Sequence, residues 1–300
     1  MIDVRRHNAN FCVEHFLRLC RDQMAKAVDE FAMFGRDDRV LVAVSGGKDS
    51  LALWDMLVEA GYKADGLCIG LGIGDYSDAS SGYARRFAQE RRLTLRYVDL
   101  REEYGYDIPT GARAARRAPC ATCGLTKRHL FDKAAVDGGY DVVATGHNLD
   151  DEAAVLLGNV LRWNREYLGR QRPVLPGGHG FPRKVKPLVR LAERETAAYC
   201  VLRGIDYIVE ECPMAAGNKH LGYKGALDAI ESSSPGTKHA FYFGFLQRGA
   251  ERFDGDGAAE SAMLTACTTC GSPTTAGVCA FCRLVERASA ATPVQLRPGR

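Results

Sequence analysis

The sequence predicts an α/β fold built on a doubly wound parallel sheet, with a small cysteine-rich module at its C-terminal end. Three observations carry this. Short β-rich apolar runs alternate with amphipathic stretches of helical period between residues 39 and 209. The first of these runs ends in Ser45-Gly46-Gly47-Lys48-Asp49-Ser50, a glycine turn between strand and helix. Cysteines form two CxxC pairs between Cys267 and Cys282.

Taken in order, residues 13–34 carry Val13, Phe16, Leu17, Cys20, Met24, Val28 and Phe31 at helical spacing, which predicts a helix leading into the main domain. Arg39–Val44 predicts a buried strand, and Asp49–Ala60 a helix ended by Gly61. Lys63–Ile69 predicts a second strand, Tyr83–Arg91 a helix and Thr94–Val98 a third strand. Cys120–Val136 reads as a helix, Asp141–Thr145 as a fourth strand, and Asp150–Arg162 as a helix with Asp150 available as its N-cap. Trp163–Pro187 has no period and is rich in Gly, Pro and Arg, so it reads as a loop over the sheet's working edge. Glu193–Leu202 and Ile205–Val209 predict one more helix and strand, and residues 223–250 return to helical spacing. A Gly/Ala stretch follows Asp254, then the module at 267–282, then a polar tail. Such sheets bind ligands at the carboxyl ends of their strands.

The chain has 300 residues, 46% of them hydrophobic, enough for one large core with small attachments. No run is long and apolar enough to span a membrane, and MIDVRRHNANFC lacks the apolar core of a secretory signal, so a cytoplasmic location is expected. The net charge of +3 does not by itself demand a nucleic-acid partner, but its distribution is uneven. Between Val160 and Arg190 stand eight Lys or Arg residues and a single acid, Glu166. Eleven cysteines in a reducing compartment read as metal ligands or redox groups rather than disulfides, with Cys20, Cys68 and Cys200 as core thiols.

Several motifs carry chemistry. In Ser45–Ser50 the glycines let backbone approach phosphate, the helix N-terminus offers free N–H groups, both serines offer hydroxyls, and Lys48 neutralises charge. The spacing is not Walker A, because Val42 stands where the first glycine would be. Thr145-Gly146-His147-Asn148-Leu149-Asp150-Asp151-Glu152 ends the fourth strand with three acids at a helix start. Cys120-x2-Cys123 alone is a redox pair, half a zinc site or a structural feature, with Cys212 as a third thiol placed to return to the sheet's carboxyl edge. Cys267-x2-Cys270-x8-Cys279-x2-Cys282 has the spacing of a tetrahedral Zn²⁺ ribbon. Arg162, Arg165, Arg170, Arg172, Arg183, Lys184 and Lys186, with Trp163 and Tyr167 for base stacking, and a second group of Arg113, Arg116 and Arg117, favour a polyanionic substrate.

SGGKDS resembles the PP-loop of the Rossmann-like ATP pyrophosphatases. PCxxCG followed by TKRHLFDKAA, then HNLDDEA, then EECP, resembles the tRNA 2-thiouridine synthetases of the TtuA type, within the TtcA/TtuA family, from Arg39 to Arg283. The resemblance implies that ATP, with Mg²⁺, adenylates the O2 of a tRNA uridine, which sulfur then replaces. It implies nucleotide contacts by Ala43, Ser45, Gly46, Gly47, Lys48, Asp49, Ser50, Ile69, Lys127 and Gly146, and catalytic roles for Asp151 and Lys127. It makes Cys120, Cys123 and Cys212 the ligands of a [4Fe-4S] cluster. It implies a ubiquitin-like thiocarboxylated sulfur-carrier protein as a partner, and a homodimer. The T-loop 5-methyluridine is the expected target, with the wobble uridine, a small-molecule thionation and a silent RNA-binding scaffold as alternatives. The expected domains are an N-terminal helix at 1–35, a PP-loop catalytic domain at 36–253, a zinc ribbon at 262–285 and a tail at 286–300. Relatives carry a second zinc module near the N-terminus. Here Cys12-x2-His15 resembles its second half, with His7 as one further donor and a fourth ligand missing, so that site is either lost or cut off by the chain start.

Overall fold

The computed structural model describes residues 1–215, 217, 219–253 and 264–290. The Gly/Ala stretch after Asp254 and residues 291–300 of the expected tail lie outside the described residues.

The chain opens with a hairpin of β1 (Ile2–Val4) and β2 (Ala9–Phe11), then α1 (Val13–Glu30). There follow β3 (Arg39–Val44), α2 (Lys48–Glu59), β4 (Lys63–Gly70), α3 (Gly74–Arg91), β5 (Leu95–Asp99), α4 (Leu100–Tyr104), α5 (Ile108–Ala115) and α6 (Pro119–Gly138). Next come β6 (Val142–Thr145), α7 (Leu149–Leu161), α8 (Arg165–Gly169), β7 (Val174–Leu175), β8 (Arg183–Val185), α9 (Glu193–Arg203), α10 (Lys219–Ser233) and α11 (Thr237–Arg248). A small hairpin of β9 (Thr265–Ala266) and β10 (Pro273–Thr274) and α12 (Ala280–Ala290) complete the described chain. The main sheet has the order β5-β4-β3-β6-β8-β7 and is parallel except for β7.

Strand period explains the two cores. Val40, Val42 and Val44 of β3 join one buried cluster with Phe16, Met24, Trp54 and Tyr199, while Leu41 between them joins a second cluster with Leu67, Ile69, Val143 and Phe281. Successive side chains face opposite sides of a strand, so a run apolar at every position is covered on both faces. Helix α1 buries Phe16, Cys20, Met24 and Val28 in the first cluster, so residues 1–35 pack into the main core rather than standing apart.

The structure corrects four readings. Ile205–Val209 is not a strand: the place beside β6 is taken by β8, and the Ile208 N–H instead donates to the Gly46 carbonyl at 3.0 Å, drawing the segment across the phosphate loop. Trp163–Pro187 is accordingly more than a loop, since it holds α8 and the β7–β8 hairpin. Helix α3 begins at Gly74, nine residues before the expected Tyr83, although its first half is polar and glycine-bearing. Tertiary packing overrides that weak propensity, because Ser77 and Ser81 are buried. Finally, Asn148 rather than Asp150 caps α7.

Candidate functional site

The phosphate loop sits where β3 turns into α2. Gly46 has φ +75°, and a Cβ there would stand 2.0 Å from the Ser80 carbonyl oxygen, so only glycine fits. The Ser50 hydroxyl accepts from the Ser45 N–H at 3.1 Å and donates to the Gly47 carbonyl at 2.9 Å, which closes the turn over the start of α2. Gly146, at the end of β6, lies against the same helix start: a Cβ would come within 2.8 Å of the Asp49 carbonyl carbon and the Ser50 nitrogen. Its bareness lets the acidic motif approach the loop. Ala43 pairs with Leu67 and Thr145, and Ile69 with Val98, near the carboxyl ends of neighbouring strands.

The acidic motif is fixed by a capping box. The Asn148 side chain accepts from the Asp151 N–H, and the Asp151 carboxylate accepts from the Asn148 N–H, both at 3.1 Å. Buried Asn148 also donates its amide to Asp49 at 3.1 Å. Asp150 and Glu152 are structural anchors. Asp150 accepts from the Glu193 N–H at 2.8 Å and pairs with Lys238, whereas Glu152 pairs with Lys186 at 2.7 Å.

Two residues that the sequence did not single out complete this region. Glu193 at the start of α9 holds Lys48 at 2.7 Å and Lys224 of α10 at 2.9 Å, and Lys224 also reaches Asp151 at 2.6 Å. Burial opposes the charge on Glu193, yet hydrogen bonds from both lysines hold its carboxyl down to about 2. Burial likewise opposes the charge on Lys48, but Asp49 and Glu193 outweigh it and raise its pKa. Asp49 moves the other way: burial lifts it against the pull of Lys48 and Thr196. An acid at a helix start reads as a dipole partner, and a lone helix lysine as surface, so neither carried a sequence signal.

Cys123, at the start of α6, and Cys212 pack against the same buried cluster. Burial pushes the Cys123 thiol up, Lys127 one helical turn on pulls it down, and Cys212 and Cys120 push it up again. The Cys120 thiol lies 3.5 Å from the carbonyl of Met214, two residues past Cys212. The Lys127 charge also lowers the thiol of Cys68, on the carboxyl half of β4, against the dominant effect of burial. Cys20, Cys68 and Cys200 are buried core thiols, as expected.

Among the described residues, Cys267, Cys270, Cys279 and Cys282 are the one group of three or more Cys, His, Asp or Glu side chains whose ligand atoms all lie within 4.8 Å of one another. The Cys279 N–H points at the Cys267 sulfur at 3.2 Å and the Cys282 N–H at the Cys279 sulfur at 3.4 Å, donors that suit thiolates on one metal ion. Cys120, Cys123 and Cys212 do not form a second such group. Near the N-terminus, the Cys12 thiol meets His15 Nδ1 at 3.0 Å and no third ligand joins them among the described residues.

The basic segment divides in two. Arg183 donates to the Met33 carbonyl, Lys184 pairs with Asp132 and Lys186 with Glu152, so these hold structure. Trp163 and Tyr167 are 72% and 55% exposed, and Arg113, Arg116 and Arg117 are exposed at the end of α5. A cleft of about 1030 Å³ runs between α6, the β7–β8 hairpin and the cysteine ribbon, lined by Arg128, Arg170, Arg172 and Phe181 among others. Among the described residues no helix is long and apolar enough to cross a membrane.

Comparison with known proteins identifies the family. The PP-loop domain family matches residues 18–214. The tRNA-5-methyluridine(54) 2-sulfurtransferase of Thermus thermophilus is 50% identical over 283 residues, covering 94% of this chain and 87% of the relative. The protein of the same name from Thermotoga maritima is 41% identical over 298 residues, covering 97% and 96%. Among solved structures, the U34-tRNA thiolase NcsA of Methanococcus maripaludis, determined with its [4Fe-4S] cluster, superposes with a TM-score of 0.73 over 82% of this chain and 84% of its own, and at 22% identity that likeness speaks for the fold. The chain belongs to the PP-loop family of ATP pyrophosphatases, in the group of tRNA 2-thiouridine synthetases of the TtuA type.

Proposed function

We propose that this protein replaces the O2 of a tRNA uridine, the 5-methyluridine of the T-loop, with sulfur at the expense of ATP. The observation that carries the reading is the 3.1 Å bond from Asn148 of the acidic motif to Asp49 of the phosphate loop, which holds the two motifs together at the carboxyl ends of β3 and β6. The names of the relatives supply the tRNA substrate and the target position.

The chemistry follows in two stages. The uridine O2 attacks the α-phosphorus of ATP, the bond to the β-phosphate breaks, and pyrophosphate leaves. The N–H groups at the start of α2, with Ser45, Lys48 and Ser50, bind the departing phosphates, and Asp151 is the carboxylate that would hold Mg²⁺, which would offset their charge. Sulfide then adds at C2, and AMP departs with the original oxygen while Lys127 neutralises charge on its phosphate. Cys120, Cys123 and Cys212 would hold a [4Fe-4S] cluster, which supplies an iron without a protein ligand where sulfide can be kept. The ribbon cysteines would hold Zn²⁺ as structure, and the exposed arginines and aromatic side chains engage tRNA. A ubiquitin-like thiocarboxylated carrier as the sulfur donor and a homodimeric assembly complete the proposal.

The test is nucleoside mass spectrometry of tRNA incubated anaerobically with the reconstituted protein, Mg²⁺-ATP and sulfide. Wild type is expected to give 2-thiouridine in the T-loop fragment, and a Cys212→Ala variant none. Label in the anticodon fragment would move the target to the wobble uridine. Absence of thiolated tRNA from wild type would overturn the reading.

A further inference from the structure

The pairings of Lys224 are out of proportion to a stabilising role. Lys224, Lys48, Glu193 and Asp151 are each between 21% and 39% exposed, and ion pairs so open to water add little to folding. Yet the two lysines grip opposite oxygens of one carboxylate, at 2.7 and 2.9 Å. One of them belongs to the phosphate loop, and the other also touches Asp151 of the acidic motif at 2.6 Å. A cavity of about 590 Å³ is lined by Lys48 and Glu193, while Lys224 and Asp151, outside that lining, are themselves 23% and 26% exposed. Two ammonium groups converging on one anion at a helix N-terminus form a receptor for a larger anion with several oxygens.

We propose that Lys224 is a second phosphate-binding lysine of this site, that it contacts the pyrophosphate portion of ATP beside Lys48, and that Glu193 is a positioning residue standing in for that anion. When the phosphates are absent, Glu193 holds the two amines side by side at 2.7 and 2.9 Å from its two oxygens. When the phosphates enter, both lysines exchange one carboxylate for a more highly charged partner. When pyrophosphate is released, Glu193 recaptures them, which favours product departure. This inference rests on the reading of the loop as the ATP site.

The experiment is calorimetric binding of Mg²⁺-pyrophosphate and, separately, of AMP, to wild type, Lys224→Met, Lys224→Arg and Glu193→Gln. Lys224→Met is expected to weaken pyrophosphate about ten- to hundredfold, the loss of one charged contact, and to leave AMP unchanged. Lys224→Arg should restore most of that loss. Glu193→Gln should shift pyrophosphate the opposite way, toward tighter binding, because the competing anion is gone. A purely structural tie would move both ligands together, and both variants in one direction, and that result overturns the proposal. Because the readout is binding, it stands apart from the tRNA assignment: a wild type that binds pyrophosphate as described but thiolates no tRNA would remove the proposed function and keep this inference. A wild type that binds neither ligand would remove both.

Discussion

The side-chain amide of Asn148 donates to the carboxylate of Asp49 at 3.1 Å, and this single bond fastens the acidic motif to the phosphate loop. The two residues lie 99 positions apart in sequence. Asn148 is fully buried and caps α7 at the same time, so one side chain sets the distance between Asp151 and the start of α2.

Asn148→Ala should therefore cost more than an ordinary cap. Loss of the cap and of a buried bond to a carboxylate sum to about 2–4 kcal/mol. Denaturant unfolding would measure that loss, and release of pyrophosphate from ATP should fall with it.

Gly46→Ala should abolish nucleotide binding. The φ of +75° and the Ser80 carbonyl 2.0 Å from the new Cβ forbid the loop conformation. Wild type should melt at a higher temperature with Mg²⁺-ATP than without it. The variant should show no such shift.

The two cysteine groups should separate by element. Cys279→Ser should remove one zinc per chain in elemental analysis while leaving reconstituted iron unchanged, and should expose residues 264–290 to protease. The stack of Phe281 on His129, with ring centres 4.0 Å apart, is what the loosened ribbon would lose. Loss of iron and zinc together from this one variant would mean that the groups are not independent.

Acid should weaken the ring of charges around Glu193. Its carboxyl drops from an ordinary 4.5 to about 2 in the folded protein. A depressed carboxyl contributes stability that is fully present above the unfolded value and is lost as pH falls through the folded one. Because Glu193 is 39% exposed and water screens its pairs, the decline in stability between about pH 4.5 and pH 2 should be small, and Glu193→Gln should remove it in urea titrations.

Exposed and engaged basic residues should behave differently toward tRNA. Arg116→Ala with Arg117→Ala should weaken binding and reduce its salt slope by about one per arginine. Lys184→Ala, which breaks the 2.8 Å pair with Asp132, should lower stability and leave the slope unchanged.

The first four strands of the main sheet, the phosphate loop, the acidic motif and the cysteine ribbon were legible along the chain. Each is written in neighbouring residues: a continuous apolar run in Arg39–Val44, a glycine pair before Lys48, and CxxC spacing at Cys267 and Cys279. Which strand lies beside β6 depended on packing, because β8 is three residues long and takes its stability from the sheet rather than from its own pattern. Only packing brought Glu193 and Lys224 to Lys48 and Asp151, and gave Asn148 its bond to Asp49. Those groups come from separate helices, and a charged side chain carries no periodic signal of the partner it meets. What a local pattern encodes can be read along the chain. The partners a charge meets depend on how the helices pack around the sheet.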